Sequence, residues 1–97
     1  MNGSGAAAAG QSSGASLEDG GFDAEIFVEG SCPAPVLRSA KALRGLSSGQ
    51  VLKVACLDPV SVKDLAAFAS QTGNRLIKQA QAEDGGRTLY LHWIARR

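Results

Sequence analysis

The spacing of apolar positions switches between two and three-or-four residues along this chain, and each switch marks an element. Residues 22–28 form a short run of β-formers closed by Gly30, which predicts a first strand. Pro33 and Pro35 offer no amide hydrogen, so they fit only the first turn of a helix. From there Val36, Leu37, Ala40, Leu43 and Leu46 recur at helical spacing, with Arg38, Lys41 and Arg44 between them. That is an amphipathic helix with a basic outer face, stopped near residues 45–49. Residues 51–57 read as a second strand, with Leu52, Val54 and Cys56 on one face and Lys53 on the other. Asp58-Pro59 closes it. Ser61, followed three residues later by Asp64, has the form of a capping box opening a second helix. Val62, Leu65, Ala66 and Ala69 form its apolar stripe, Phe68 lies at the margin, and Gly73 is its C-cap. Residues 75–82 and 87–94 are two further strands, joined by the hairpin signal Asp84-Gly85-Gly86. The order β-α-β-α-β-β predicts an α/β (α+β) two-layer sandwich, with two helices on one face of a four-stranded mixed sheet.

Residues 1–21 break this pattern. Apart from Met1, Leu17 is their single large aliphatic residue, and most of the rest is Gly, Ser and Ala. Such a stretch buries too little apolar surface to offset the entropy of ordering it, so it reads as a disordered tail, native or artificial. The folded unit is then residues 22–97, a size at which one core supplies only a few kcal/mol. The formal charge of +1 hides a split. Glu18 and Asp19 lie in the tail, leaving ten Lys and Arg against seven acids, or +3, in the remainder. That mildly basic surface is not the footprint of a protein that holds nucleic acid unaided. No stretch reaches the 18 or so apolar residues of a membrane span, and the alanine run at 6–9 lacks the flanks of a secretory signal. With two cysteines and no export signal, the expectation is a reduced, cytoplasmic protein.

The chemistry centres on Cys32. If the first helix starts at Pro33, Cys32 is its N-cap, where free amides and the helix dipole stabilise a thiolate. Pro33 and Pro35 have no amide hydrogen, so Ala34 and Val36 are the nearby donors, and Arg38 and Lys41 add weak attraction from further along. The one histidine, His92, is far away in the last strand, which argues against a Cys–His nucleophile. A dithiol oxidoreductase places a resolving cysteine three residues on, and this chain has Pro35 there. A thiol that can take up a sulfur atom and is not expelled as a disulfide suits carrying better than redox cycling. Cys56 reads as a buried structural residue, His92 as a surface strand residue, and Trp93 as a cover for one end of the core. Asp58 and Asp64 read as turn and cap residues. Neither a cofactor nor a metal is expected.

The block Cys32-Pro33-Ala34-Pro35-Val36-Leu37 resembles the Cys-Pro-x-Pro signature of the TusA (SirA-like) family of small sulfur-carrier proteins. The resemblance extends over residues 25–94, through Leu43, Gly49-Gln50-Val51-Leu52, Leu57-Asp58-Pro59, Asp64, Phe68 and Gly73-Asn74. It implies a sulfurtransferase-type carrier in which Cys32 accepts a persulfide sulfur from a desulfurase or rhodanese-like donor and relays it to an acceptor protein. The pathways it implies are tRNA thiolation, sulfur oxidation, and molybdenum-cofactor or selenium metabolism. Pro33, Ala34 and Pro35 would then set the exposure of Cys32, and Arg38 and Lys41 would dock an acidic partner surface. A monomer is expected, without membrane or direct nucleic-acid contact. One departure lies before the cysteine: Gly30 stands two residues ahead of Cys32 where the family has three, and Ile26 occupies the usual Asp position. This altered loop motivates the alternative, a non-catalytic regulatory or interaction module on the same fold. An RNA-binding domain, and a thiol peroxidase or reductase pairing Cys32 with Cys56, are the remaining readings.

Overall fold

The structure, a computed structural model, describes residues 21–97. The tail expected before residue 22 lies, apart from Gly21, outside the described residues. Four strands and two helices follow in the order β1 (Ala24–Val28), α1 (Ala34–Arg44), β2 (Val51–Cys56), α2 (Ser61–Thr72), β3 (Arg75–Asp84) and β4 (Arg87–Ala95). The sheet order is β1-β2-β4-β3. β1 and β2 are parallel, and β4 runs antiparallel to both β2 and β3. This is the predicted two-layer architecture.

Strand parity decides what the helices cover. The pairings Ala24↔Leu52↔Ile94 and Ile26↔Val54↔His92 place these side chains on one face, with Val28 and Cys56 beside them. Against that face pack Leu43 of α1 and Leu65, Phe68 and Ala69 of α2. Each large aliphatic side chain fully buried here stabilises the fold by about 1.5–3 kcal/mol. On the opposite face Lys53 spans Phe22 and Trp93, its ammonium 5.2 Å and 5.4 Å from the two ring centroids. The strand expected from residue 22 therefore begins at Ala24, with Phe22 used as a lid on Lys53. Gly85 and Gly86, both at positive φ, form the two-residue turn between Asp84 and Arg87, as the hairpin signal required. Gly73 ends α2 in the left-handed conformation at φ 79°.

The burial or packing of four residues differs from the sequence reading. Leu37 is 62% exposed, and α1 instead turns Pro35, Ser39 and Leu43 inward. Phe68 belongs to the core and not to its margin. Trp93 packs on the helix-free face, as the partner of Lys53 across the strands, and so does not close the end of the main core. His92 is fully buried where a surface residue was expected.

The burial of His92 is made possible by partners on both ring nitrogens. Gln79 Nε2 donates to the Val62 carbonyl at 2.8 Å and lies 3.0 Å from His92 Nδ1, so it donates its second hydrogen there. That assigns the ring proton to Nε2, which donates to Ser61 Oγ at 3.1 Å. A neutral imidazole thus ties the first turn of α2 to β4 and β3. Ser61 is not the N-cap that the capping-box reading required: Val60 holds that position, and no side chain caps the helix there.

Burial depresses the His92 pKa from its ordinary 6.5 to about 4. Between those values the unfolded chain binds the proton and the folded chain does not. The stabilisation is complete above about pH 6.5 and is lost as the pH falls toward 4. Denaturant unfolding should show about 2 kcal/mol less stability at pH 5 than at pH 7 from this group. In His92→Gln, which starts less stable, that part of the slope should vanish; an unchanged slope would refute the assignment.

Candidate functional site

Because β1 and β2 are parallel, the loops leaving their C-terminal ends lie side by side. The first loop carries Gly30, Ser31, Cys32 and Pro33, and the second carries Leu57, Asp58, Pro59 and Val60. Cys32 is exposed and free, and Cys56 is free and buried at the end of β2, behind the site. Gly30 lets the loop pass close to α1, since a Cβ there would come within 3.2 Å of the Ala34 Cβ.

α1 starts one residue later than expected. Pro33 is the N-cap, Ala34 the first helical residue, and Pro35 follows in the first turn and is buried. Cys32 therefore sits just ahead of the cap. Of its two expected amide donors, Ala34 already donates to the Ser31 carbonyl at 2.9 Å. Position 32 is held instead from across the loops. Asp58 Oδ2 accepts the Cys32 backbone N–H at 3.3 Å, and Oδ1 accepts that of Val60 at 3.0 Å. The Asp58 carbonyl also accepts the Ser61 N–H at 3.0 Å. Asp58 is thus more than a turn residue, because one carboxylate fixes both loops.

The electrostatics of the thiol run opposite to the sequence expectation. Asp64, in the first turn of α2, is the main influence that favours the protonated Cys32 thiol. Partial desolvation and the negative charges of Asp64 and Asp58 act in the same direction. The Cys32 pKa is accordingly raised above the ordinary thiol value. Arg38 and Lys41 are exposed on the outer face of α1 and do not offset this. Among the described residues, the ion pairs are Lys53–Glu25 and Arg87–Asp84, so Asp58 and Asp64 have no cationic partner. The role of Asp64 was invisible in the sequence, since the contact joins positions 32 residues apart. Among the described residues, no cluster of three or more His, Cys, Asp or Glu side chains is placed to hold a metal, and no helix is long and apolar enough to cross a membrane.

Fold and site together define a small α+β domain that presents one exposed cysteine at a strand-to-helix junction, with its other thiol sealed in the core. The chain belongs to the TusA family: the family described as sulfurtransferase TusA matches residues 29–92. It is 51% identical over 71 residues to the sulfur carrier protein TusA of Allochromatium vinosum, a match covering 72% of this chain and 91% of that protein. It is 37% identical over 76 residues to the Pseudomonas entomophila protein of the same name, covering 77% and 90% of the two chains. The fold also matches a crystal structure of a SirA-like protein from Desulfitobacterium hafniense at a TM-score of 0.58 and 26% identity, over 77% of this chain and all of that one.

Replacing Asp64 removes the main influence that raises the thiol pKa while leaving the Asp58 contacts in place. Asp64→Asn should lower the pH midpoint of Cys32 alkylation by iodoacetamide and speed the reaction several-fold at pH 7.5. A midpoint equal to that of the unaltered protein would show that Asp64 does not act on the sulfur.

Proposed function

We propose that this protein is a sulfur carrier that takes up sulfane sulfur on Cys32 as a persulfide from a donor protein and passes it to an acceptor protein. The observation that carries the reading is the exposed Cys32 at the head of a Cys-Pro-x-Pro helix, in a chain half identical to a sulfur carrier protein. The step balances without an external oxidant. Cys32 loses its proton to solvent, and its sulfur attacks the terminal sulfur of the donor's cysteine persulfide. The Sγ–S bond forms, the donor S–S bond breaks, and the donor cysteine leaves as a thiolate that takes up a proton. Release to the acceptor repeats the exchange with Cys32 as leaving group. The buried position of Cys56 supports carrying, since an internal disulfide would discharge the persulfide.

The raised thiol pKa bears on partner chemistry. A free carrier with a protonated thiol is a poor nucleophile. A partner that brings a cationic side chain against Asp58 and Asp64 would release the thiolate on docking. Arg38 and Lys41 meet an acidic patch on the same partner, so charges of both signs set the orientation. Pro33, Ala34 and Pro35 keep the sulfur at the front of the molecule. The carrier works as a monomer in a reducing cytoplasm, and residues 22–97 form the carrier domain.

Intact-mass spectrometry after incubation with a cysteine desulfurase, its cofactor and cysteine tests the reading. One added sulfur atom, removed by reductant and absent in Cys32→Ser, is the expected result. A folded protein that gains no sulfur from desulfurase or rhodanese-like donors would instead favour the interaction module. A second measurement addresses docking: Arg38→Glu/Lys41→Glu should slow loading about tenfold and leave iodoacetamide alkylation of Cys32 unchanged. Equal loading rates would remove these two residues from the interface.

A further inference from the structure

At the end of the molecule away from Cys32, a cavity of about 270 Å³ opens between the last turns of α1 and α2 and the end of β4. Its floor is apolar, made by Ala40, Leu43 and Phe68. Its rim is polar and cationic, made by Arg44, Thr72, Asn74, Arg96 and Arg97. No acidic side chain lines it. Among the described residues the ion pairs use Lys53 and Arg87 as their cations, which leaves all three rim guanidinium groups unpaired.

Three like charges around a concave surface repel one another, so their convergence costs stability unless a counter-charge joins them. The surrounding structure nevertheless fixes the chain at two of them, Arg96 and Arg97. Arg96 donates its N–H to the Gln50 carbonyl and accepts the Gly49 N–H, both at 2.8 Å, while its Nη1 donates to the Leu46 carbonyl at 2.7 Å. The Arg97 N–H donates to Asn74 Oδ1 at 2.8 Å. Asn74 Nδ2 donates to Thr72 Oγ1, which in turn donates to the Phe68 carbonyl, each at 2.8 Å. The Arg97 side chain lies over Gly73, where a Cβ would come within 2.9 Å of its Cδ. The Arg96 guanidinium and the Arg97 main chain are thus positioned before any ligand arrives, which lowers part of the ordering cost of binding.

We propose that this cavity is a binding site for a small phosphate-bearing organic ligand. Guanidinium forks match tetrahedral oxyanions through paired N–H donors, and three of them suit a dianion better than a monocarboxylate. The Leu43 and Phe68 floor takes a small ring or short apolar body beneath the anionic head. A single concave pocket, without exposed aromatic platforms to continue it, does not fit a polynucleotide strand. The site is independent of the sulfur-carrier reading, because none of its residues touches Cys32 or Asp58.

The test is an NMR titration of the full chain with phenyl phosphate and, separately, inorganic phosphate, with chloride adjusted to constant ionic strength. Saturable shifts at Arg44, Asn74 and Arg97, with phenyl phosphate binding more tightly than phosphate, are expected. Arg44→Gln/Arg97→Gln should weaken phenyl phosphate binding about tenfold or more, while persulfide loading of Cys32 stays unchanged. Shifts that fail to saturate, or that persist unaltered in the double variant, would overturn the proposal. Equal affinity for phosphate and phenyl phosphate would overturn the role of the apolar floor, and with it the ligand class.

Discussion

The parallel pairing of β1 with β2 is the constraint from which both ends of this molecule follow. Two parallel neighbours must be joined by a crossover, here α1, and each strand then delivers its chain at the same edge of the sheet. The loops carrying Cys32 and Asp58 are therefore adjacent by topology, although the two residues are 26 positions apart in sequence. The same geometry sends the C-terminal turns of both helices to the far end, where β4 also terminates. That is how Arg44, Arg96 and Arg97 come to share one cavity.

At the thiol end, the interaction that orders the loops also suppresses the chemistry. Backbone amides at a loop crossing need acceptors, and the Asp58 carboxylate satisfies two of them at once. A neutral acceptor would do the same with less effect on the sulfur. The carboxylate adds negative charge, and Asp64 adds more, so the thiol stays protonated in isolation. For a carrier this is a coherent compromise. A thiolate exposed at all times reacts with any available electrophile, whereas one formed at a docked partner reacts where transfer is needed. The His92 network contributes from behind: by tying the first turn of α2 to β3 and β4, it sets the position from which Asp64 faces Cys32.

The sequence made the elements legible wherever one face was buried and the period was clean. Leu52, Val54 and Cys56 alternate with Lys53, and all three went to the core. Asp84-Gly85-Gly86 demanded a turn with positive φ, and the glycines supplied it. The phase of α1 was harder, because in an 11-residue helix Leu37 and Ser39 compete for the inward face and composition favours leucine. The fold turned the serine inward and left Leu37 outside. His92 carried a usable signal that composition obscured: it shares strand parity with Ile94, so its face was the core face. Of the candidate site, Cys32 and its flanking prolines could be read directly. The pairing of Cys32 with Asp58 and Asp64 could not, because it depends on which loops the topology brings together.

Charge and helix dipole run in the same direction through the molecule. Both helices begin at the thiol end, so their positive N-terminal poles face Asp58 and Asp64; both end at the cavity, where their negative poles face Arg44, Arg96 and Arg97. Each set of side chains is favourable to the helix ends it lies near, by a few tenths of a kcal/mol per charge. In a domain with one small core such increments count, and they account for the acids at one end and the bases at the other without reference to function. The functional consequence is separate. Carboxylates beside a helix start repel a thiolate placed there and so offset what the dipole would contribute to it. A cysteine at the head of a helix is thus not activated by position alone. Its reactivity is decided by what else occupies the same pole, and here two aspartates do.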